Sequence, residues 1–160
     1  MIRILFLLIL LGMQRPGVQA QEQAHWTYAV KPIGSNRFEV HVTAALQPGW
    51  HIYAQHQVDG FSGIPTHIDF TDTLRFSFEG TPREEGHQIT EIDPNFGIRL
   101  FEYESRVDFV QVVQINPGNT AENLDGLVKY QLCSHTECLQ PQTVKFTVAL
   151  NPLKPALMNQ

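Results

Sequence analysis

The chain has 160 residues, a formal net charge of −5 and two cysteines. It holds no cluster of basic residues, which argues against nucleic acid as a partner, because phosphate backbones are bound by several Lys or Arg side chains together. About 140 residues follow a short amino-terminal leader, which is enough for one domain that buries its own core.

The first 20 residues have the pattern of an export signal. Arg3 precedes an unbroken apolar run from Ile4 to Leu11, and the small residue Ala20 stands where a signal peptidase would cleave. The run is too short to cross a bilayer, which takes a helix of about 20 apolar residues. We therefore predict a signal peptide over residues 1–20, and a mature protein that is exported and not inserted in a membrane.

Alternating apolar and polar residues predict a series of short strands with one buried face each. The clearest alternation runs from Phe38 to Thr43 and from Thr143 to Leu150. The further predicted strands are His25 to Lys31, Trp50 to Gln55, Thr66 to Phe70, Leu74 to Glu79, Ile98 to Tyr103, Arg106 to Ile115 and Leu127 to Cys133.

Turn residues separate these strands, including the segments from Gly80 to Gly86 and from Asp93 to Gly97. No segment has a sustained helical period, although one short turn of helix is allowed around Thr120 to Leu124. This pattern predicts an all-β protein, namely an immunoglobulin-like antiparallel β-sandwich over residues 21–150, with a barrel as the alternative. Residues 151–160 are predicted to be a carboxyl-terminal tail.

The two cysteines, Cys133 and Cys138, admit three interpretations. A hairpin loop could bring them together as a structural disulfide, although closing a loop of about six residues contributes only roughly 2 kcal/mol. They could be a redox-active pair. A metal site is the third interpretation, but structural zinc takes four ligands and this segment adds only His135, whereas a copper site could use fewer, with His51 or His56.

The phase of the predicted strand suggests where Cys133 points. Cys133 is in phase with Lys129 and Gln131 and out of phase with Tyr130 and Leu132. Since alternate residues of a strand share a face, we expect Cys133 to leave the buried face.

Three segments of the chain resemble the amino-terminal periplasmic domain of the DsbD family of thiol:disulfide interchange proteins. VKYQLCSHTECLQPQT, residues 128–143, resembles the hairpin that carries the two family cysteines. PGWHIYAQ, residues 48–55, resembles a strand beside them, and DPNFGIRLFEYESRVDF, residues 93–109, resembles the cap loop and the strand that follows it. The resemblance implies an immunoglobulin-like sandwich in the periplasm that needs no cofactor or metal.

The resemblance also implies a function and a set of site residues. The catalytic pair would be Cys138, which forms mixed disulfides, and Cys133, which resolves them. The surroundings implied by the family match are two strand residues and two cap-loop residues: His51, Tyr53, Asp93 and Phe96. In this role Phe96 would be an aromatic lid over the cysteines. A charged imidazole of His51 or of His135 in the hairpin could lower the pKa of a cysteine, which would be a departure from the family's environment.

The implied partners are a membrane thiol electron donor and periplasmic thioredoxin-like or disulfide-containing proteins, between which the pair would relay reducing equivalents. The sequence lacks the membrane and thioredoxin-like domains of the family, so the donor would be another polypeptide. It also differs from the family pattern at Gln140, at Pro94 and in a shorter intercysteine loop. The alternative function is a periplasmic binding or assembly module without catalytic activity, in which the disulfide is structural.

Overall fold

The computed structural model describes residues 22–93 and 96–150. The predicted signal peptide and tail lie outside these residues. Within them the chain forms nine strands and no helix, and so no helix long and apolar enough to cross a membrane. The strands are β1 (Ala24–Gly34), β2 (Arg37–Leu46), β3 (His51–Tyr53), β4 (His67–Phe70), β5 (Phe76–Ile92), β6 (Arg99–Ile115), β7 (Asn123–Tyr130), β8 (Leu132–Cys133) and β9 (Gln142–Ala149).

The strands form two antiparallel sheets. The larger sheet has the order β1-β2-β6-β3-β8, with β5 paired to the other edge of β6, and the smaller sheet has the order β4-β7-β9. Two antiparallel sheets that pack face to face around a common core are the predicted sandwich, so the immunoglobulin-like fold class is confirmed.

Aromatic side chains join the two sheets. Trp26 of β1 meets Tyr130 of β7 edge to face, with ring centroids 5.0 Å apart, and Tyr28 of β1 stacks on Phe146 of β9 at 4.7 Å. Rings of this size bury large apolar areas, which makes such contacts a main source of the sandwich's stability. The alternation predicted for β2 places three fully buried residues in the same core: Val40, Val42 and Ala44.

Strand β6 changes partners along its length. Residues 102–104 pair with β3, and residues 106–114 pair with β2 on the same edge. Between the two stretches, Ser105 has a φ of 60°, a left-handed conformation that a strand interior does not normally contain. The irregularity at Ser105 therefore marks the point where β6 changes from pairing with β2 to pairing with β3. It separates the part of the sheet that holds β3 and β8 from the part that holds β1 and β2.

The structure lacks one turn that the sequence predicted and one short helical turn that it allowed. The segment from Gly80 to Gly86 is not a turn but part of the 17-residue strand β5, whose register shifts between Glu79 and Arg83 and again between Gly86 and Gln88. The bulges keep the strand paired to β6 despite the glycines. The predicted short helical turn at Thr120 to Leu124 is absent, since Leu124 already belongs to β7.

The expectation that Cys133 leaves the buried face is also wrong, since Cys133 is 1% exposed. Its physical reason is a change of sheet. Strand β7 ends at Tyr130 in the smaller sheet, and β8 starts at Leu132 in the larger one. The alternation of β7 is therefore interrupted at Gln131, and both Leu132 and Cys133 are buried.

A substitution at Gly126 of β7 can test how closely the strands of the smaller sheet pack. A Cβ atom added to Gly126 would overlap the ring of Phe146 and lie 3.0 Å from the carbonyl oxygen of Asp69. We expect Gly126→Ala to lower the free energy of unfolding by roughly 1 to 3 kcal/mol, because overpacking forces neighbours to move. Chemical denaturation measures this change.

The matched control is Gly34→Ala, where the nearest heavy atom to an added Cβ is 3.8 Å away. This substitution should change stability by less than about 1 kcal/mol, as expected where a Cβ meets no overlap. Equal effects at the two glycines would contradict the close packing of Phe146 against β7.

Candidate functional site

Cys133 and Cys138 form a disulfide that closes a short hairpin. Their Cα atoms are 4.0 Å apart, and the backbone N–H of Ser134 donates to the carbonyl of Glu137 at 2.7 Å across the turn. The hydroxyl of Ser134 also accepts a hydrogen bond from the N–H of Glu137 at 3.2 Å. The predicted hairpin is thus present, and its turn is held by local hydrogen bonds.

The two cysteines differ in exposure. Cys133 is 1% exposed and lies in β8, between β3 and the hairpin turn. Cys138 is exposed on the far side of the turn. Since a disulfide is attacked at the sulfur that a thiolate can reach, an incoming protein thiol has access to the Cys138 side of this bond.

Strand β3 places two aromatic side chains beside the disulfide. The Tyr53 hydroxyl lies 3.2 Å from Sγ of Cys133 and 3.9 Å from Sγ of Cys138. Because a disulfide sulfur has no proton to give, the hydroxyl is the donor. Burial, followed by the charges of Glu102 and Asp93, raises the pKa of Tyr53 above its ordinary value, so the hydroxyl keeps its proton.

His51 is buried next to a carboxyl group that is also buried. Nε2 of His51 lies 3.3 Å from Oε1 of Glu102, and the side chain of Glu102 is 1% exposed. Burial lowers the pKa of His51. Burial, helped by the charges of Glu91 and Glu104, raises the pKa of Glu102 to about 7. Below about pH 7 the pair therefore holds its proton on the carboxyl group, as a carboxylic acid beside a neutral imidazole, and not as an ion pair.

Of the remaining predicted site residues, two lie near this group. The ring of His135 is exposed and its centroid is 6.4 Å from that of His51. Asp93 begins the β5–β6 turn, where its carboxylate accepts the N–H of Phe96 at 3.1 Å, and its charge acts on Tyr53. Phe96 is 65% exposed, so its ring is directed largely to solvent.

The family of the protein follows from its sequence as a whole. Residues 15–150 match the family described as thiol:disulfide interchange protein DsbD, N-terminal. The chain belongs to this family. The match covers the described domain from its first strand to its last, and it includes the disulfide hairpin.

Two solved structures are similar to this chain. The N-terminal periplasmic domain of ScsB from Proteus mirabilis is 17% identical with a TM-score of 0.58, and the match covers 81% of this chain and 47% of that chain. The chain thus spans about half the length of that ScsB structure. The reduced N-terminal domain of DsbD from Neisseria meningitidis is 18% identical with a TM-score of 0.43, covering 79% of this chain and 85% of that chain. Among curated protein sequences, none matches significantly.

Sequence reasoning missed Glu102 as a member of the site of this DsbD-family domain. Glu102 and Glu104 lie two residues apart on one face of β6, and nothing in their spacing distinguishes them. The structure distinguishes them: Glu102 is opposite Tyr53 and is 1% exposed, whereas Glu104 is opposite His51 and is exposed. Phe61 was also missed; its ring packs edge to face on Tyr53 with centroids 4.8 Å apart.

Metal ligands are sparse in the described part of this domain. Among residues 22–93 and 96–150, no three His, Cys, Asp or Glu side chains converge as a metal ion would require. His56, which the copper interpretation included, is exposed.

The buried carboxyl of Glu102 predicts a specific pH dependence of stability. Its pKa is raised from 4.5 to about 7 in the folded protein, so folding holds a proton that the unfolded chain releases between these values. This contribution is complete below pH 4.5 and is lost as the pH rises through 7. Relative to Glu102→Gln, we expect the wild-type unfolding free energy to fall by at most about 3 kcal/mol between pH 5 and pH 8.

Chemical denaturation of both oxidised proteins at the two pH values measures this difference. Glu79→Gln serves as the control because Glu79 is an exposed glutamate of β5 whose charge is not among those that raise the pKa of Glu102, so its removal should leave the pH dependence of the wild type unchanged. Parallel pH profiles for wild type and Glu102→Gln would show that Glu102 does not hold a proton on folding.

Proposed function

We propose that the protein is an exported thiol:disulfide interchange domain that relays reducing equivalents through Cys133 and Cys138. Electrons would come from a membrane thiol donor and pass to periplasmic thioredoxin-like or disulfide-containing proteins. In this proposal residues 1–20 are a signal peptide, residues 21–150 are the working domain and residues 151–160 are a tail. Membership of the DsbD amino-terminal family supports the type of reaction.

The observation that carries the proposal is the unequal exposure of two bonded cysteines. Cys138 is accessible and Cys133 is buried beside Tyr53. Exchange through mixed disulfides needs one sulfur that partners reach and a second that resolves the adduct from inside. A purely structural disulfide has no need of this asymmetry, and closing so short a loop stabilises the fold only modestly.

The reaction proceeds by two thiolate attacks in each direction. A donor thiolate attacks Sγ of Cys138, the bond to Cys133 breaks, and its electron pair stays on Sγ of Cys133. The second donor thiolate then attacks the donor sulfur of the mixed disulfide, which releases Cys138 and leaves the donor oxidised. To reduce an acceptor, the Cys138 thiolate attacks the acceptor disulfide and forms a mixed disulfide. The Cys133 thiolate then attacks Sγ of Cys138, which restores the internal disulfide and releases the acceptor in its reduced form.

Tyr53 supports this exchange as a hydrogen-bond donor. Its hydroxyl is 3.2 Å from Sγ of Cys133, close enough to stabilise negative charge on that sulfur when the disulfide opens. Because its pKa is raised, Tyr53 remains protonated in the pH range where thiols exchange. The hydroxyl therefore acts on charge without itself becoming charged.

We propose that Phe96 belongs to a protective cap for the cysteines, the role that the family resemblance of residues 93–109 implies. It sits on a tight turn in which the N–H of Gly97 donates to the carbonyl of Asp93 at 2.8 Å, while the N–H of Asp93 donates to the carbonyl of Ile98 at 2.9 Å. The ring is 65% exposed, so it can change position without opening the core. A cap that moves away for a protein partner would block small oxidants.

Single cysteine variants distinguish the two roles. We expect Cys133→Ala to form a stable mixed disulfide through Cys138 with oxidised glutathione or with a thioredoxin-like protein, because no resolving thiol remains. Cys138→Ala should form little adduct in the folded state, since Cys133 is buried. Mass spectrometry after non-reducing electrophoresis detects both adducts.

Two outcomes of this experiment would count against the proposal. The absence of any Cys133→Ala adduct under excess partner would favour a structural disulfide. Adducts of equal yield in the two variants would show that the difference in exposure does not assign the roles.

Phe96→Ala tests the cap. We expect the reduced variant to be oxidised by glutathione disulfide severalfold faster than the wild type, with unchanged stability because the ring is exposed. Leu74→Ala is the matched control, because Leu74 is an 87% exposed apolar side chain outside the turn. An oxidation rate that does not change with Phe96→Ala would remove the protective role.

A further inference from the structure

A buried carboxyl group beside the disulfide has no role in the exchange steps at the two sulfurs. Glu102 is 1% exposed. Among the residues that the structure describes, its Oε2 is buried without a hydrogen-bond partner. A buried and incompletely satisfied polar group destabilises a fold. The position of Glu102 therefore calls for a chemical explanation.

Glu102 is connected to Cys133 by two side chains of β3. On one route, Oε1 of Glu102 lies 3.3 Å from Nε2 of His51, and His51 is the direct cross-strand partner of Cys133. Directly opposed residues of antiparallel strands have Cβ atoms about 4.5 to 5.5 Å apart. On the other route, Tyr53 is the cross-strand partner of Glu102 and reaches Sγ of Cys133 with its hydroxyl.

The two sulfurs exchange protons under different conditions. When Cys138 is released from a mixed disulfide, it is exposed and can take a proton from water. Cys133 is 1% exposed, so an electron pair left on its sulfur is a charge in a region that solvent does not reach. A proton for Cys133 must come from neighbouring buried groups.

We propose that the buried pair of His51 and Glu102 supplies the proton that Cys133 takes up when the disulfide opens and receives it back when Cys133 resolves a mixed disulfide. This role rests on the proposed interchange function. On opening, a partner thiolate bonds to Sγ of Cys138, the bond between the cysteines breaks, and Sγ of Cys133 gains the electron pair and one proton. Glu102 is left as a carboxylate, which is reprotonated before the next cycle.

Other ionisable groups around the pair favour a proton on Glu102. Glu91 of β5 and Glu104 of β6 face it, and their negative charges add to the effect of burial on its pKa. For His51, burial is the largest effect and lowers the pKa; His135 from the hairpin acts in the same direction, while Glu91 and Glu104 oppose it. Asp93 from the β5–β6 turn and Glu102 itself act on Tyr53, which stays protonated. The surroundings thus keep the transferable proton on the carboxyl group and not on the imidazole.

The test measures how fast dithiothreitol reduces the oxidised protein at each pH. Dividing the observed rate constant by the concentration of dithiothreitol thiolate at that pH gives a corrected rate constant. For the wild type, this corrected rate constant should fall about tenfold from pH 6 to pH 8, as the acid form of a group with a pKa of about 7 is lost. Glu102→Gln should give a flat profile that is about tenfold lower than the wild type at pH 6.

Two further variants complete the design. Glu79→Gln, which removes an exposed carboxylate of β5 that does not act on Glu102, should retain the wild-type profile. His51→Phe keeps a ring in place but removes the imidazole through which the proton is proposed to pass, so its profile should be flat. A wild-type pH dependence retained in either Glu102→Gln or His51→Phe overturns the proposal.

This experiment separates failure of the inference from failure of the proposed function. A disulfide that dithiothreitol does not reduce in the folded wild type contradicts interchange itself, and with it the proton role. A disulfide that is reduced with the same corrected rate constant from pH 6 to pH 8 in the wild type leaves interchange standing and removes the role of the pair.

Discussion

The ladder of β6, β3 and β8 is the constraint on which the site depends. Strand β3 has three residues and pairs with β6 on one side and with β8 on the other. It therefore sets Cys133 opposite His51 and Glu102 opposite Tyr53 in one step. The irregularity at Ser105 lets β6 serve β2 and β3 on the same edge, so a long strand of the core also carries a residue of the site.

The same ladder explains which parts of the protein the sequence could predict. Alternation identified β2 and β9, and the family resemblance drew attention to the hairpin, because both signals depend on residues close in the chain. The burial of Cys133 could not be predicted, since it follows from the change of sheet at Gln131. The environment of Glu102 depends on the register between β3 and β6, which no local pattern encodes.

The length of β5 shows the limit of turn signals. Glycines at Gly80 and Gly86 were interpreted as a turn, yet the strand continues through them with two register shifts. Gly86 has a structural role, because a Cβ there would lie 2.9 Å from the carbonyl oxygen of Arg106. A glycine that allows two backbones to approach and a glycine that allows the chain to reverse are indistinguishable in one sequence.

An exchanging cysteine pair must be accessible to its partners and must also protect its resolving sulfur, and in this fold the two cysteines differ in exposure. In the proposed exchange, Cys138 gives partners access, and its exposure leaves the core intact because the hairpin turn is held by its own hydrogen bonds. The sheet protects the sulfur of Cys133 by excluding water. Without water, however, that sulfur has no solvent molecule from which to take a proton. A buried acid next to a neutral imidazole meets that need for a proton at the cost of stability above neutral pH. The unsatisfied carboxylate oxygen of Glu102 is therefore understandable as a consequence of placing one sulfur inside the fold and its partner outside.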